Sequence, residues 1–194
     1  MLGLLKRNFK YIGIASFTVL YKCMVRSHLE YCNSVWAPYK KSDFEDLEKV
    51  QKRATKIIPN LAKLSYSERL RACKLFTLVF RRIRGDMIET YKIVSGKYDN
   101  LVALKLETSD LGTTKGNKLK LANARTRYDL RKYFFTNRII NIWKSLPNHV
   151  VGACTTNQFK NRLDKFWEHQ DIVYDYKSHL TGVRSRSVID TLCE

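Results

Sequence analysis

Apolar residues recur along this chain at steps of three and four, with polar residues between them, for nearly its whole length. That period belongs to the α-helix and not to the strand. Leu2, Leu5, Phe9 and Ile12 form a first amphipathic set with no capping residue before it. Ser16 can cap a second helix. Phe17, Leu20, Tyr21, Met24, His28, Leu29, Cys32 and Trp36 then share one broad face, and Pro38 closes it. This face is the expected centre of the core, with His28 as a core histidine. Ser42 to Glu45 and Ser65 to Glu68 have the spacing of capping boxes. The first opens LEKVQKRATKII (47–58), which Pro59 ends, and the second opens a short helix to about Lys74.

A longer helix is predicted from near Thr77 to Ser95. Val79, Ile83, Met87, Tyr91 and Val94 face inward, and Gly96 is its stop. Residues 97–126 break the period. TSDLGTTKGNKLKLANART (108–126) reads as a basic loop, with a short strand at Lys118–Leu121 or a small hairpin near 106–126. A helix over 131–145 carries Phe135, Ile139, Ile142, Trp143 and Leu146 and ends at Pro147. The last opens at Thr155 or Thr156 and uses Phe159, Leu163, Phe166 and Trp167. After Asp171 the pattern fades into what reads as a loosely ordered tail. The fold class is therefore mainly α, an irregular helical bundle. It divides into a bundle over 1–100, a basic loop plus C-terminal helices over 101–170, and a tail over 171–194.

Composition agrees with a folded chain. Hydrophobic content is 44% over 194 residues, with three prolines and eight glycines. That is enough apolar surface for a core and too little Pro and Gly for a linker. The charge changes the picture. Lys and Arg number 36 against 18 Asp and Glu, a formal net charge of +18. Such a field opposes compaction, so it speaks to partners: nucleic acid first, an anionic membrane surface second. From Asp171 onward three bases meet four acids, so the surplus belongs to the body.

Cys23, Cys32, Cys73, Cys154 and Cys193 form no CxxC pair, and their odd count suggests neither a disulfide framework nor a zinc site. Reduced thiols in a nuclear or cytoplasmic compartment are expected. The longest early uncharged run, Tyr11 to Tyr21, is too short to span a bilayer. Residues 1–29 hold Lys6, Arg7, Lys10, Lys22 and Arg26 and no acid, which also resembles a mitochondrial presequence. The unbroken helical pattern favours ordinary basic helices.

On a helical wheel Lys49, Lys52, Arg53 and Lys56 fall within roughly 100° of arc. Leu47, Val50, Ala54, Ile57 and Ile58 lie on the other side. Glu45 can pair with Lys49 and Glu48 with Lys52, whereas Arg53 and Lys56 have no acid at i±4. Arg81, Arg82 and Arg84 crowd the start of the long helix, and Asp86 can answer Arg82. Lys115, Lys118, Lys120, Arg125, Arg127, Arg131, Lys132 and Arg138 follow, with Asp129 the sole acid among them. Cations bind phosphate, and neighbouring aromatics can stack on bases. Tyr128 and Tyr133 are the stacking candidates, while the period of Phe135 assigns it to the core.

No catalytic chemistry shows. GxxxxGK[ST], GxGxxG, HExxH and GxSxG are absent, no Asp-Asp dipeptide occurs, and His28, His149, His169 and His179 are scattered. No catalytic residue, metal ligand or cofactor is assigned.

Several long stretches resemble one family. They are LGLLKRNF (2–9), LYKCMVRSHLEYCNSVWAPYKK (20–41), LEKVQKRATKII (47–58), RRIRGDMIETYKI (81–93), RKYFFTNRIINIWKSLP (131–147) and FKNRLDKFW (159–167). They resemble, in order, the C-terminal part of LINE-type, non-LTR retrotransposon reverse transcriptases of jockey-like lineages. Ser27 departs from the proline usual before the His-Leu-Glu-Tyr run, and the tail has no counterpart. The resemblance implies that 1–100 is a thumb-like bundle, and that Met1 is internal to a longer frame with the YxDD aspartates upstream. It implies a catalytically incomplete fragment of an RNA-directed DNA polymerase.

The expected partners are then RNA or DNA, gripped by the phosphate backbone, and the missing palm or a full-length homologue. The expected contacts are Lys49, Lys52, Arg53 and Lys56, a second patch of Arg81, Arg82 and Arg84, and Lys118, Lys120, Arg125, Arg127, Arg131 and Lys132. Two alternatives stay open: a helical structural or interaction protein with no nucleic-acid role, and an inert pseudogene product.

Overall fold

The computed structural model describes residues 1–9, 11–99, 101, 103–107, 117, 119–122 and 126–183. The chain is mainly helical. In order come α1 (Leu2–Asn8), α2 (Ile14–Tyr21), a π-helical segment (Lys22–Arg26), α3 (Ser27–Glu30), α4 (Lys41–Thr55), α5 (Tyr66–Ala72), α6 (Leu78–Val94), α7 (Asp129–Lys132), α8 (Phe135–Ser145), α9 (Asn148–Val151) and α10 (Thr156–Phe166). No regular strand occurs among the described residues. Of the anticipated hairpin, one isolated bridge at Leu121 and a bond from Ala122 N–H to Glu107 O (2.7 Å) are present.

Where local signals set a boundary, the helix follows them. Ser65 and Glu68 form both halves of a capping box at α5. Thr77 caps α6 through the Phe80 N–H, and Thr155 caps α10 through the Gln158 N–H. Gly96 ends α6 at φ +64°, with Lys97 N–H bonding back to Lys92 O. Three expectations need correction. Ser42 builds no capping box: α4 starts at Lys41, and Ser42 hydroxyl turns to Asp43 instead. The second helix starts at Ile14, passes through the π turn and ends at Glu30. A π turn winds more slowly than an α turn, so the apolar face swings round. Phe17, Tyr21 and Val25 are buried, whereas His28, Cys32 and Trp36 are exposed. The helix expected over 131–145 is broken at Tyr133 and Phe134 into α7 and α8.

Buried apolar side chains form two clusters. One joins Leu5, Phe17, Tyr21, Ala54, Ile58, Leu70 and Leu75. The other joins α6 to α8, α9 and α10 through Met87, Tyr91, Ile139, Trp143, Val150, Phe159 and Leu163. Tyr91 and Phe159 stack at 4.4 Å, and Phe80 meets Trp167 edge-on at 5.9 Å. The boundary between clusters falls just before α6, so the long helix packs with the C-terminal half. Residues 171–183 also belong to that half: Ile172, Val173 and Leu180 are buried, and Thr77 hydroxyl donates to Ile172 O at 2.6 Å. The loose tail expected from Asp171 is therefore not seen over 171–183, while 184–194 lie outside the described residues. No described helix is long and apolar enough to cross a membrane.

Candidate nucleic-acid interface

Helix α4 turns a partly polar face to the core. Glu48, Gln51, Ala54 and Thr55 are buried, while Leu47, Val50 and Ile57 are only half-buried. Each buried polar group is met from another element. Tyr21 hydroxyl donates to Gln51 Oε1 at 2.7 Å, and Gln51 Nε2 donates to Phe76 O at 2.9 Å. Tyr66 hydroxyl and Leu78 N–H both donate to the Glu48 carboxylate. Arg69 Nε donates to Thr55 hydroxyl at 3.1 Å. Satisfied in this way, the polar face costs little to bury. Burial still pushes the Glu48 carboxyl above its usual range, and the two donors pull against that shift.

This inward face decides what the basic stripe presents. Glu48 is committed to the core, so the expected Glu48–Lys52 pair does not form. Lys52 lies half-buried over the rings of Tyr176 (3.9 Å) and Tyr66 (5.4 Å). Lys49 is exposed and pairs with Asp46 at 2.8 Å, not with Glu45. Arg53 and Lys56 are exposed and meet no carboxylate among the described residues.

The second expected patch is not an outer surface. Arg81 grips both oxygens of Glu30, with Nη2 at 2.8 Å. Arg84 grips both oxygens of Asp164, with Nη2 at 2.8 Å. Arg82 is buried, its guanidinium 5.2 Å from the Trp36 ring and 5.8 Å from that of Phe44. Asp86 answers Arg138 at 2.8 Å and not Arg82, and Arg138 also donates to the carbonyls of Asn33 and Ser34. The reason is position. α6 runs between α4, α8 and α10 and beside α3, so its arginines meet Glu30 of α3, Asp164 of α10 and the rings of Trp36 and Phe44. No acid stands one turn from Arg81 or Arg84 in the sequence, and their partners lie 51 and 80 residues distant.

In the third group Lys118 and Arg125, like Lys115, lie outside the described residues. Lys120 is half-buried and in contact with other groups. Lys132 is half-buried over the Tyr133 ring at 5.4 Å. Tyr133 stacks on Tyr39 with centroids 4.8 Å apart and planes 13° apart, so one of its faces is taken. Arg127 and Arg131 are exposed, and Tyr128 between them is 76% exposed. Both Leu130 and Phe134 are exposed as well.

Two sets of bare cations result: Arg53 and Lys56 at the end of α4, with Lys49 beside them paired to Asp46, and Arg127 with Arg131 around Tyr128. Either can hold phosphates by charge, and the second can add stacking. The cavity that Arg82 lines has no signature in the sequence, because burial of an arginine leaves no local signal. Among the described residues no three His, Cys, Asp or Glu side chains are placed to hold a metal ion. Comparison with family models, curated proteins and solved structures yields no match to this chain.

Proposed function

We propose that this chain grips the phosphate backbone of RNA or DNA, without sequence readout, through the outer face of α4 and the 127–131 segment. The parent activity is that of a LINE-type RNA-directed DNA polymerase whose palm aspartates this chain does not carry. It works beside that palm or a full-length homologue, in the nucleus or cytoplasm, and turns over no substrate alone. One observation supports this above the others. The fold pairs or buries the arginines of α6 and Arg138, yet leaves Arg53, Lys56, Arg127 and Arg131 exposed with no carboxylate partner among the described residues. Lys6, Arg7, Lys63 and Arg71 are exposed too, but the former four stand in two close pairs, Arg53 with Lys56 and Arg127 with Arg131, so that neighbouring cations can meet neighbouring phosphates.

The test is anisotropy titration of a primed RNA template across salt. If four cations each release a counterion, affinity falls about 100-fold between roughly 50 and 200 mM salt. A nearly salt-independent affinity contradicts the proposal. Equal competition by heparin shows undirected polyanion attraction and contradicts it too.

A further inference from the structure

We propose that the cleft between α4, α6, α8 and residues 172–183 binds a medium-chain alkyl carboxylate, its head against Arg82 and its tail along the aliphatic wall. This site is independent of the nucleic-acid reading. The cavity measures about 260 Å3. Phe44, Val79, Ile83, Ile142, Ile172 and Leu180 are part of its apolar wall, and Arg82 lines it too. Arg82 is only 5% exposed, and its Nη1 has no hydrogen-bond partner. Nη2 reaches Leu29 O at a long 3.5 Å. The rings of Trp36 and Phe44 attract the cation but accept no ordinary hydrogen bond. A buried guanidinium with an unmet donor is costly, and an acceptor reaching it gains correspondingly.

No nearby carboxylate fills the gap. Glu30 is held by Arg81, Asp86 by Arg138, and Glu48 by Tyr66 and Leu78. Burial draws the Arg82 pKa below its usual range, the direction of a cation short of a partner. Around the cavity Lys41, Arg82, Arg138 and Lys177 stand against Glu45 and Asp86. One anion improves that balance, and the wall calls for an aliphatic body behind it. At the packing density of protein interiors a cavity of this size takes roughly ten non-hydrogen atoms, which suits octanoate.

The experiment titrates the full chain with octanoate and with octan-1-ol, read by calorimetry and by fluorescence of Trp36 beside Arg82. Octanoate should bind at one equivalent and at least tenfold tighter than the alcohol. Arg82→Met should erase that preference. Ile142→Phe, which narrows the cavity and leaves Arg82 in place, should weaken octanoate at least tenfold and decides the matter if Arg82→Met does not fold. Equal affinity for the two probes would mean that a trapped water meets Nη1, which overturns the proposal. Adsorption of many equivalents, unchanged by Ile142→Phe, would mean attraction to the cationic exterior and overturns it as well.

Discussion

Replacing Arg138 by methionine tests the internal role of the arginines most sharply. Arg138 and Asp86 have side chains 16% and 10% exposed, so solvent screens their pairing little. The guanidinium gives Asp86 two hydrogen bonds, at 2.8 and 3.0 Å, and holds the 33–34 turn through two carbonyls at 3.0 and 3.2 Å. Methionine fills much of the volume but supplies no donor. Asp86 would keep only a weak bond from Asn33 at 3.4 Å. Breaking a buried pair from one side costs about 3–5 kcal/mol, because the surviving charge is stranded. For a chain of this size each kcal/mol lowers Tm by about 2–4 °C, so the midpoint should fall by about 6–20 °C. Chemical denaturation followed by circular dichroism reads the change. Adding Asp86→Asn should recover part of the loss, since no buried charge then remains. A loss below about 1 kcal/mol for Arg138→Met would mean that Arg138 behaves as a surface cation, and the division between internal and outer arginines would fail.

Other consequences follow from the same packing. The folded state raises the Glu48 pKa, so Glu48 contributes stability that is complete below its ordinary pKa and is lost as pH rises through the folded value. Glu48→Gln should therefore flatten stability against pH above the ordinary carboxylate range, as read by denaturation midpoints; an unchanged slope contradicts the assignment. Thr77→Ala removes the α6 cap and strands the Ile172 carbonyl, so it should cost about 2–3 kcal/mol. A cost near zero would detach residues 171–183 from the core.

The parts of the fold that were legible in the sequence are those fixed within one helical turn. Ser65 with Glu68, Thr77, Gly96 and Thr155 mark ends that the helices keep. The inward faces of α8 and α10 follow from period through Phe135, Ile139, Trp143, Phe159, Leu163 and Trp167, but Phe166, expected among them, is exposed at the end of α10. The parts that were hidden depend on partners far along the chain. Glu48 and Gln51 look like solvent residues until Tyr66 and Tyr21, 18 and 30 positions away, are brought against them. Arg81 and Arg84 look free until Glu30 and Asp164 arrive. The π turn shifts His28 outward without any residue that announces it. Of the candidate site, the exposed pair Arg53 and Lys56 was legible because no acid stands one turn away, and Arg127 and Arg131 because acids are scarce around them.

The central claim is that the outer cations of α4 and of 127–131, and not the arginines of α6, hold nucleic acid. The salt dependence of binding for Arg53→Ala with Lys56→Ala, and for Arg127→Ala with Arg131→Ala, measures it directly. Each pair should make the log–log slope shallower by about 1.8, two counterions' worth, with the melting temperature unchanged. A slope equal to that of the unaltered chain in both pairs would contradict the claim.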